Sequence, residues 1–289
     1  MPNQQDQEWD EAQKIVISIN LATAAKKHLQ FLVVADKNGH LYDGLVLEEA
    51  IFRSKYYWLP LLAEYTNSAQ LPKCELFVQL DCEWIWQCHR LNPVQYMVDC
   101  IEVFRKILDP GCLVVSSIEV ACKKQSEEIW KKKYPQESYE LSFEDHSFKN
   151  DTHSRLADVP STNNDLISAI KRQISFYHKV GSSSFVSGAI FREDLYLEEA
   201  IKRYKGFLHL VSRNIRKNLN NPCVPTYDID LMWHTHQLYP SSYCIDAMAL
   251  VCQVLHHDES NTDQSNGGNL DVSIKTTEQQ WTEMFGSLY

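Results

Sequence analysis

What this 289-residue sequence lacks narrows its class before anything it contains does. Nine glycines and ten prolines, without a period, exclude collagen and Gly- or Pro-rich low complexity. No stretch approaches the ~18 consecutive apolar residues of a membrane-spanning helix. The opening MPNQQDQEWDEAQ has no basic region followed by an apolar run, so no secretory signal is expected. None of the nine cysteines forms a C-x-x-C pair. Scattered over Cys74, Cys82, Cys88, Cys100, Cys112, Cys122, Cys223, Cys244 and Cys252, they read as reduced, mostly buried thiols, and the expected location is cytoplasmic or nuclear. Basic residues are the minority, 28 against 38 acidic, for a net charge of −10, which disfavours a nucleic-acid clamp. G-x-S-x-G, P-loop, G-x-G-x-x-G and H-E-x-x-H motifs are all missing, so no enzyme motif rises above background.

What remains is an ordinary globular composition, 44% apolar and 23% charged, long enough for one large or two small domains with a proper core. Its strongest feature is an internal repeat. DCEWIWQCHRLNPVQY from Asp81 matches DIDLMWHTHQLYPSSY from Asp228 at an offset of 147, pairing Asp81/Asp228, Glu83/Asp230, Trp86/Trp233, His89/His236, Pro93/Pro240 and Tyr96/Tyr243. Upstream, LEEAIFRSK from Leu47 and LEEAIKRYK from Leu197 are identical at seven of nine positions, at an offset of 150. Further upstream, NLATAAKKHLQFL from Asn20 resembles DLISAIKRQISFY from Asp165. Three collinear matches point to a tandem duplication of residues 18–110 and 163–258.

Each half reads as helices. Asn20 and Asp165 suit N-caps ahead of apolar residues at 3–4 spacing. A second helix starts near Leu47 or Leu197, with glutamates in its first turn. The D-x-[DE]-x-x-W-x-x-H element reads as a third, capped by Asp81 or Asp228, and Pro93 or Pro240 opens a fourth. CELFVQL has strand propensity, but its counterpart NPCVPTY carries two prolines, so both are expected to be extended loop. The expected fold is predominantly α, a pseudo-twofold helical bundle of two related four-helix units. The expected organisation is a first unit with a charged connecting helix (1–133), a polar linker (134–162), a second unit (163–258), and a flexible loop with a short C-terminal helix (259–289).

The repeated element is also the candidate site. As a structural signature, its Trp residues fill the core and His89 and His236 each bond a carboxylate or carbonyl. A metal site is the sharper alternative, with Asp230, His234, His256 and His257 as candidate ligands. Residues i and i+2 of a regular helix point about 200° apart, so His234 and His236 share one ion only if the segment is irregular, and His234→Ala is expected to cost much less than His236→Ala if His234 lies on the outer face. The first half has Gln87 at the position of His234, which argues against a metal there. Lysines around Trp130 and the basic residues from Arg203 to Lys217 read as solvated faces rather than an RNA contact.

Over nearly its whole length, on stretches such as EWDEAQKIVISINLATAAKKHLQFL, LDCEWIWQCHRLNP, EEIWKKKYP, VPTYDIDLMWHTHQLYPSSY and TTEQQWTEMFG, the sequence resembles the N-terminal domain of the plant glycine-rich domain-containing proteins. The resemblance implies roles in development, hormone responses and abiotic stress, and supplies no catalytic residues or cofactor. Longer members add a glycine-rich tail, and some are proposed to bind RNA through a separate element. The expectation is a non-enzymatic intracellular interaction or regulatory module with an unidentified protein partner and no membrane. A metal-dependent protein and an RNA binder are the alternatives.

Overall fold

The computed structural model describes residues 3–42, 44–67, 75–111, 114–119, 123–141, 166–174, 194–219, 222–255 and 269–289. The chain is predominantly helical, with one two-stranded pair among the described residues. In chain order the elements are α1 (Gln4–Gln13), α2 (Leu21–Lys37), α3 (Gly44–Arg53), a π-helical stretch (Ser54–Trp58), α4 (Leu59–Asn67), β1 (Leu76–Phe77), α5 (Leu80–Arg90), α6 (Pro93–Phe104), β2 (Val114–Val115) and α7 (Lys123–Lys133). They continue with α8 over 166–174, then α9 (Asp194–Arg216), α10 (Tyr227–Gln237), α11 (Pro240–Val251) and α12 (Asn269–Phe285). Among the described residues no helix is long and apolar enough to cross a membrane.

Local chemistry sets several boundaries. Asn3 and Asp6 form a reciprocal capping box at the start of α1. The Asn20 side chain accepts from Thr23 N at 3.0 Å, capping α2. Pro93 and Pro240 occupy first-turn positions of α6 and α11, where a missing N–H costs nothing. Both of those helices end on a left-handed residue, Arg105 (φ 60°) and Cys252 (φ 57°). Two expectations need correction. Leu76–Phe77 is a strand rather than loop, because it finds a parallel partner in Val114–Val115. The C-terminal helix is not short: it spans 17 residues.

The chain divides into two compact units, one of residues 1–28 with 184–289 and the other of residues 29–183. These do not coincide with the segments 18–110 and 163–258. The beginning of α2 belongs to the first unit, where His28 Nδ1 lies 2.9 Å from Thr235 Oγ1. In the other direction, α8 belongs with residues 29–183.

In the unit of residues 29–183, the core gathers Trp58, Trp86, Tyr96, Trp130 and Tyr139 around Leu62, Leu76 and Val78. Tyr139 lies in the stretch read from sequence as the start of a polar linker. It is nonetheless buried, and its hydroxyl donates to the Phe77 carbonyl at 3.1 Å. The remainder of that expected linker, 142–162, lies outside the described residues.

In the other unit α9 is central, packed against α1, α10 and α12. Trp9 of α1 meets Trp281 and Phe285 of α12 edge-on at 6.1 and 5.3 Å. Gly206 lets these indoles approach the α9 backbone. A Cβ there would stand 2.8 Å from Trp281 Cη2 and 3.0 Å from the Trp9 ring. Gly206→Ala is therefore expected to destabilise by roughly 1–3 kcal/mol, outweighing the helix propensity gained. Urea denaturation checks this, and a stabilised variant would show that the two rings slide aside freely.

Candidate functional site

The repeated element forms α5 and α10, and both helices are enclosed. Every residue from Leu231 to Leu238 is buried, as is every residue of α5 from Asp81 to Cys88. His234 is thus not on an outer face: it is 1% exposed, the same as His236. Periodicity suggested an outer face only on the assumption that the helix has a solvent side.

Asp81 and Asp228 do not cap their helices. The N-caps are Gln79 and Thr226, and each aspartate sits in the first turn. Asp81 Oδ2 accepts from Arg53 Nε at 2.6 Å, and Asp228 Oδ2 from Arg203 Nε at the same distance. The two arginines occupy the same position in LEEAIFRSK and LEEAIKRYK. That shared position was the available sequence signal for partners that the motif by itself does not reveal.

A second set of bonds is made twice. Trp86 Nε1–H donates to Tyr96 Oη at 2.8 Å, and the Tyr96 hydroxyl donates to the Leu108 carbonyl. Trp233 Nε1–H donates to Tyr243 Oη at 2.9 Å, and that hydroxyl to the Leu255 carbonyl at 2.7 Å. The left-handed residues at Arg105 and Cys252 turn the chain so that these carbonyls face back toward the tyrosines. His89 Nε2 bonds Asp99 Oδ2 at 2.8 Å, and His236 Nε2 bonds Asp246 Oδ2 at 3.1 Å. Partial burial works to raise both carboxyls. For Asp99, the bonds from His89 and Gln95 and the nearby charges win, and for Asp246 those from His236 and Ser18 do, so both lie below the usual carboxylate range.

The third acidic position differs between the halves. Glu83 accepts from Ser116 Oγ and Ser117 N, each at 2.7 Å, and burial still leaves its carboxyl raised. Asp230 lies 3.6 Å from His234 Nε2, one helical turn away. The two remaining metal candidates, His256 and His257, fall outside the described residues. Among the described residues no group of three His, Cys, Asp or Glu is placed to hold a metal ion.

Chemically, the arrangement orients two imidazoles by carboxylates within packed helix pairs. Burial, reinforced by the adjacent Asp81 charge, holds the Cys82 thiol well above its ordinary range, so it is a protonated structural thiol rather than a nucleophile.

The family profile described as glycine-rich domain-containing protein-like matches residues 95–246, more than half of the chain. The chain belongs to that family. It is 46% identical over 282 residues to glycine-rich domain-containing protein 1 of Arabidopsis thaliana, a match covering 98% of this chain and 34% of that protein. To glycine-rich domain-containing protein 2 of the same plant it is 47% identical over 290 residues, covering 99% of this chain and 35% of the relative. The chain spans about a third of the length of these relatives. No solved structure matches it.

Within this family member the two histidines sit differently. The His236 side chain is 2% exposed and that of His89 is 13% exposed. His236→Ala strands the Tyr204 hydroxyl and one side of Asp246, and is expected to cost roughly 2–3 kcal/mol. His89→Ala should cost about 1 kcal/mol, because water reaches its partner. Chemical denaturation of the two variants decides it, and equal losses would show that burial does not govern these pairs.

Proposed function

We propose that this chain is a non-enzymatic interaction or regulatory module of the cytoplasm or nucleus, acting in a plant's development and its responses to hormones and abiotic stress. One observation carries the interaction reading. On α6, Val98 and Ile101 are 43% and 50% exposed, and at the same 147-residue offset on α11, Ile245 and Met248 are 66% and 49% exposed. Residues three apart share a helix face, so each helix shows solvent an apolar stripe that its own core does not use. Such stripes suit a protein partner that supplies apolar anchors. The doubled bond sets of Arg–Asp, Trp–Tyr–carbonyl and His–Asp also support reading the chain as an internal duplication, with two related helical units derived from one ancestor.

The test is a pair of double variants, Val98→Glu with Ile101→Glu and Ile245→Glu with Met248→Glu. Both are expected to keep the wild-type melting temperature and to fail to restore stress tolerance in a plant line lacking its own glycine-rich domain-containing proteins. Full restoration by both overturns the reading. Stoichiometric zinc or iron in the purified protein, lost in His234→Ala, would replace it with a metal-dependent one. RNA binding that persists at physiological salt would favour nucleic acid instead.

A further inference from the structure

Between α1, α9 and α12 lies a cavity to which the repeated helices contribute no residue. Its volume is about 470 Å³, within the range of small-molecule sites. Leu210 of α9 and Met284 of α12, both buried, give it an apolar side. The acidic groups around it are already engaged. Glu8 bonds His209 Nε2 at 2.8 Å and lies 4.0 Å from Arg213 Nη1. Glu283 accepts from Gln279 Nε2 at 2.8 Å. The basic groups are less occupied. That 4.0 Å contact is the one ion pair of Arg213 among the described residues. Lys217, exposed and one helical turn further on, makes no side-chain bond or ion pair among them.

A buried polar side chain adds a second requirement. Asn214 is 5% exposed and lines the cavity. Its amide nitrogen is spent on Cys223 Sγ at 3.2 Å and Gln280 Oε1 at 2.9 Å. Its side-chain oxygen has no partner among the described residues and is the acceptor that this residue offers the cavity. The N-terminal end of α1 reaches the same cavity through Asn3 and Gln4, adding positive potential to that of the two cations. A guanidinium fork and an ammonium one turn apart suit a dianionic phosphoryl group better than a single carboxylate. The two glutamates oppose any further negative charge, so the rest of the ligand is neutral, and Asn214 calls for a hydroxyl on it.

We propose that this cavity binds a phosphomonoester of a small polyol, its phosphoryl group held by Arg213 and Lys217 and one hydroxyl donating to Asn214 Oδ1. This goes beyond the interaction reading and uses none of the stripe residues on α6 and α11, so the two stand or fall independently.

The probe is glucose 6-phosphate, titrated into the full chain by calorimetry. One-site binding with a Kd between about 10 μM and 1 mM is expected. Glucose and inorganic phosphate each carry only part of the recognised chemistry, and each is expected to bind at least roughly tenfold more weakly. Lys217→Gln is expected to keep the wild-type melting temperature and to weaken binding about tenfold. Arg213→Gln carries the same expected loss, with circular dichroism confirming its fold. Phosphatidylcholine vesicles carrying phosphatidylinositol 4-phosphate separate the two sources of such a group. Co-sedimentation that Lys217→Gln abolishes assigns a lipid headgroup, and binding of glucose 6-phosphate without co-sedimentation assigns a soluble ligand. No saturable binding of glucose 6-phosphate, equal binding of glucose or of inorganic phosphate, or unchanged affinity in either folded variant overturns the proposal.

Discussion

Arg53→Ala is expected to destabilise the protein by about 3–5 kcal/mol, while Arg203→Ala costs about 1–2 kcal/mol, although the two arginines make the same bond. The Arg53 and Asp81 side chains are 3% and 4% exposed, whereas Arg203 and Asp228 are 26% and 17% exposed. Removing Arg53 leaves a carboxylate in a medium that cannot solvate it. It also releases the Ser138 and Tyr139 carbonyls, each held by an Arg53 guanidinium nitrogen at 2.8 Å, and the cover over the Trp130 ring. Asp228 keeps Thr226 as a partner and has water within reach. Urea midpoints at low and high salt separate the two cases, because screening touches the exposed pair more than the buried one. Equal losses in the two variants would mean that desolvation is not what distinguishes them.

That contrast also shows where the sequence stopped being readable. Helix starts governed by neighbours in the chain were legible: Asn20 caps α2, and Pro93 and Pro240 open α6 and α11. Asp81 and Asp228 have the local look of caps, as any short acidic residue ahead of an apolar run does, but each sits inside the first turn. Their arginine partners lie 28 and 25 residues upstream, beyond any local pattern. The fate of His234 depended on how many neighbours α10 has, and a helix enclosed on all sides has no polar face for periodicity to find. Tyr139 was hidden by its polar context, PQESYELS, since nothing in that stretch announces that Arg53 will hold its backbone. The candidate site was legible as a list of paired residues and not as a set of bonds. The spacing put Trp86 ten residues before Tyr96, and Trp233 ten before Tyr243, but the left-handed turns that bring the Leu108 and Leu255 carbonyls to those hydroxyls lie outside the motif.

Those two hydroxyls give the most direct test of whether the halves are energetically alike. Tyr96 and Tyr243 are 0% and 1% exposed, and each hydroxyl joins an indole N–H to a main-chain carbonyl with no water in reach. Tyr96→Phe and Tyr243→Phe keep the ring and remove only the oxygen. Each then strands a buried donor and a buried acceptor, and a loss of roughly 2–4 kcal/mol is expected for either variant. The two losses should agree within about 1 kcal/mol, because the same three groups are involved in both places. They should add in the double variant, since the two hydroxyls share no partner. Trp86→Phe combined with Tyr96→Phe should cost less than the sum of the singles, because the tyrosine oxygen is what the indole bonds. Equilibrium denaturation of these variants measures all three quantities. A loss below about 0.5 kcal/mol in either single variant would mean that the helix pair is held by ring packing alone, with the hydroxyl incidental to it.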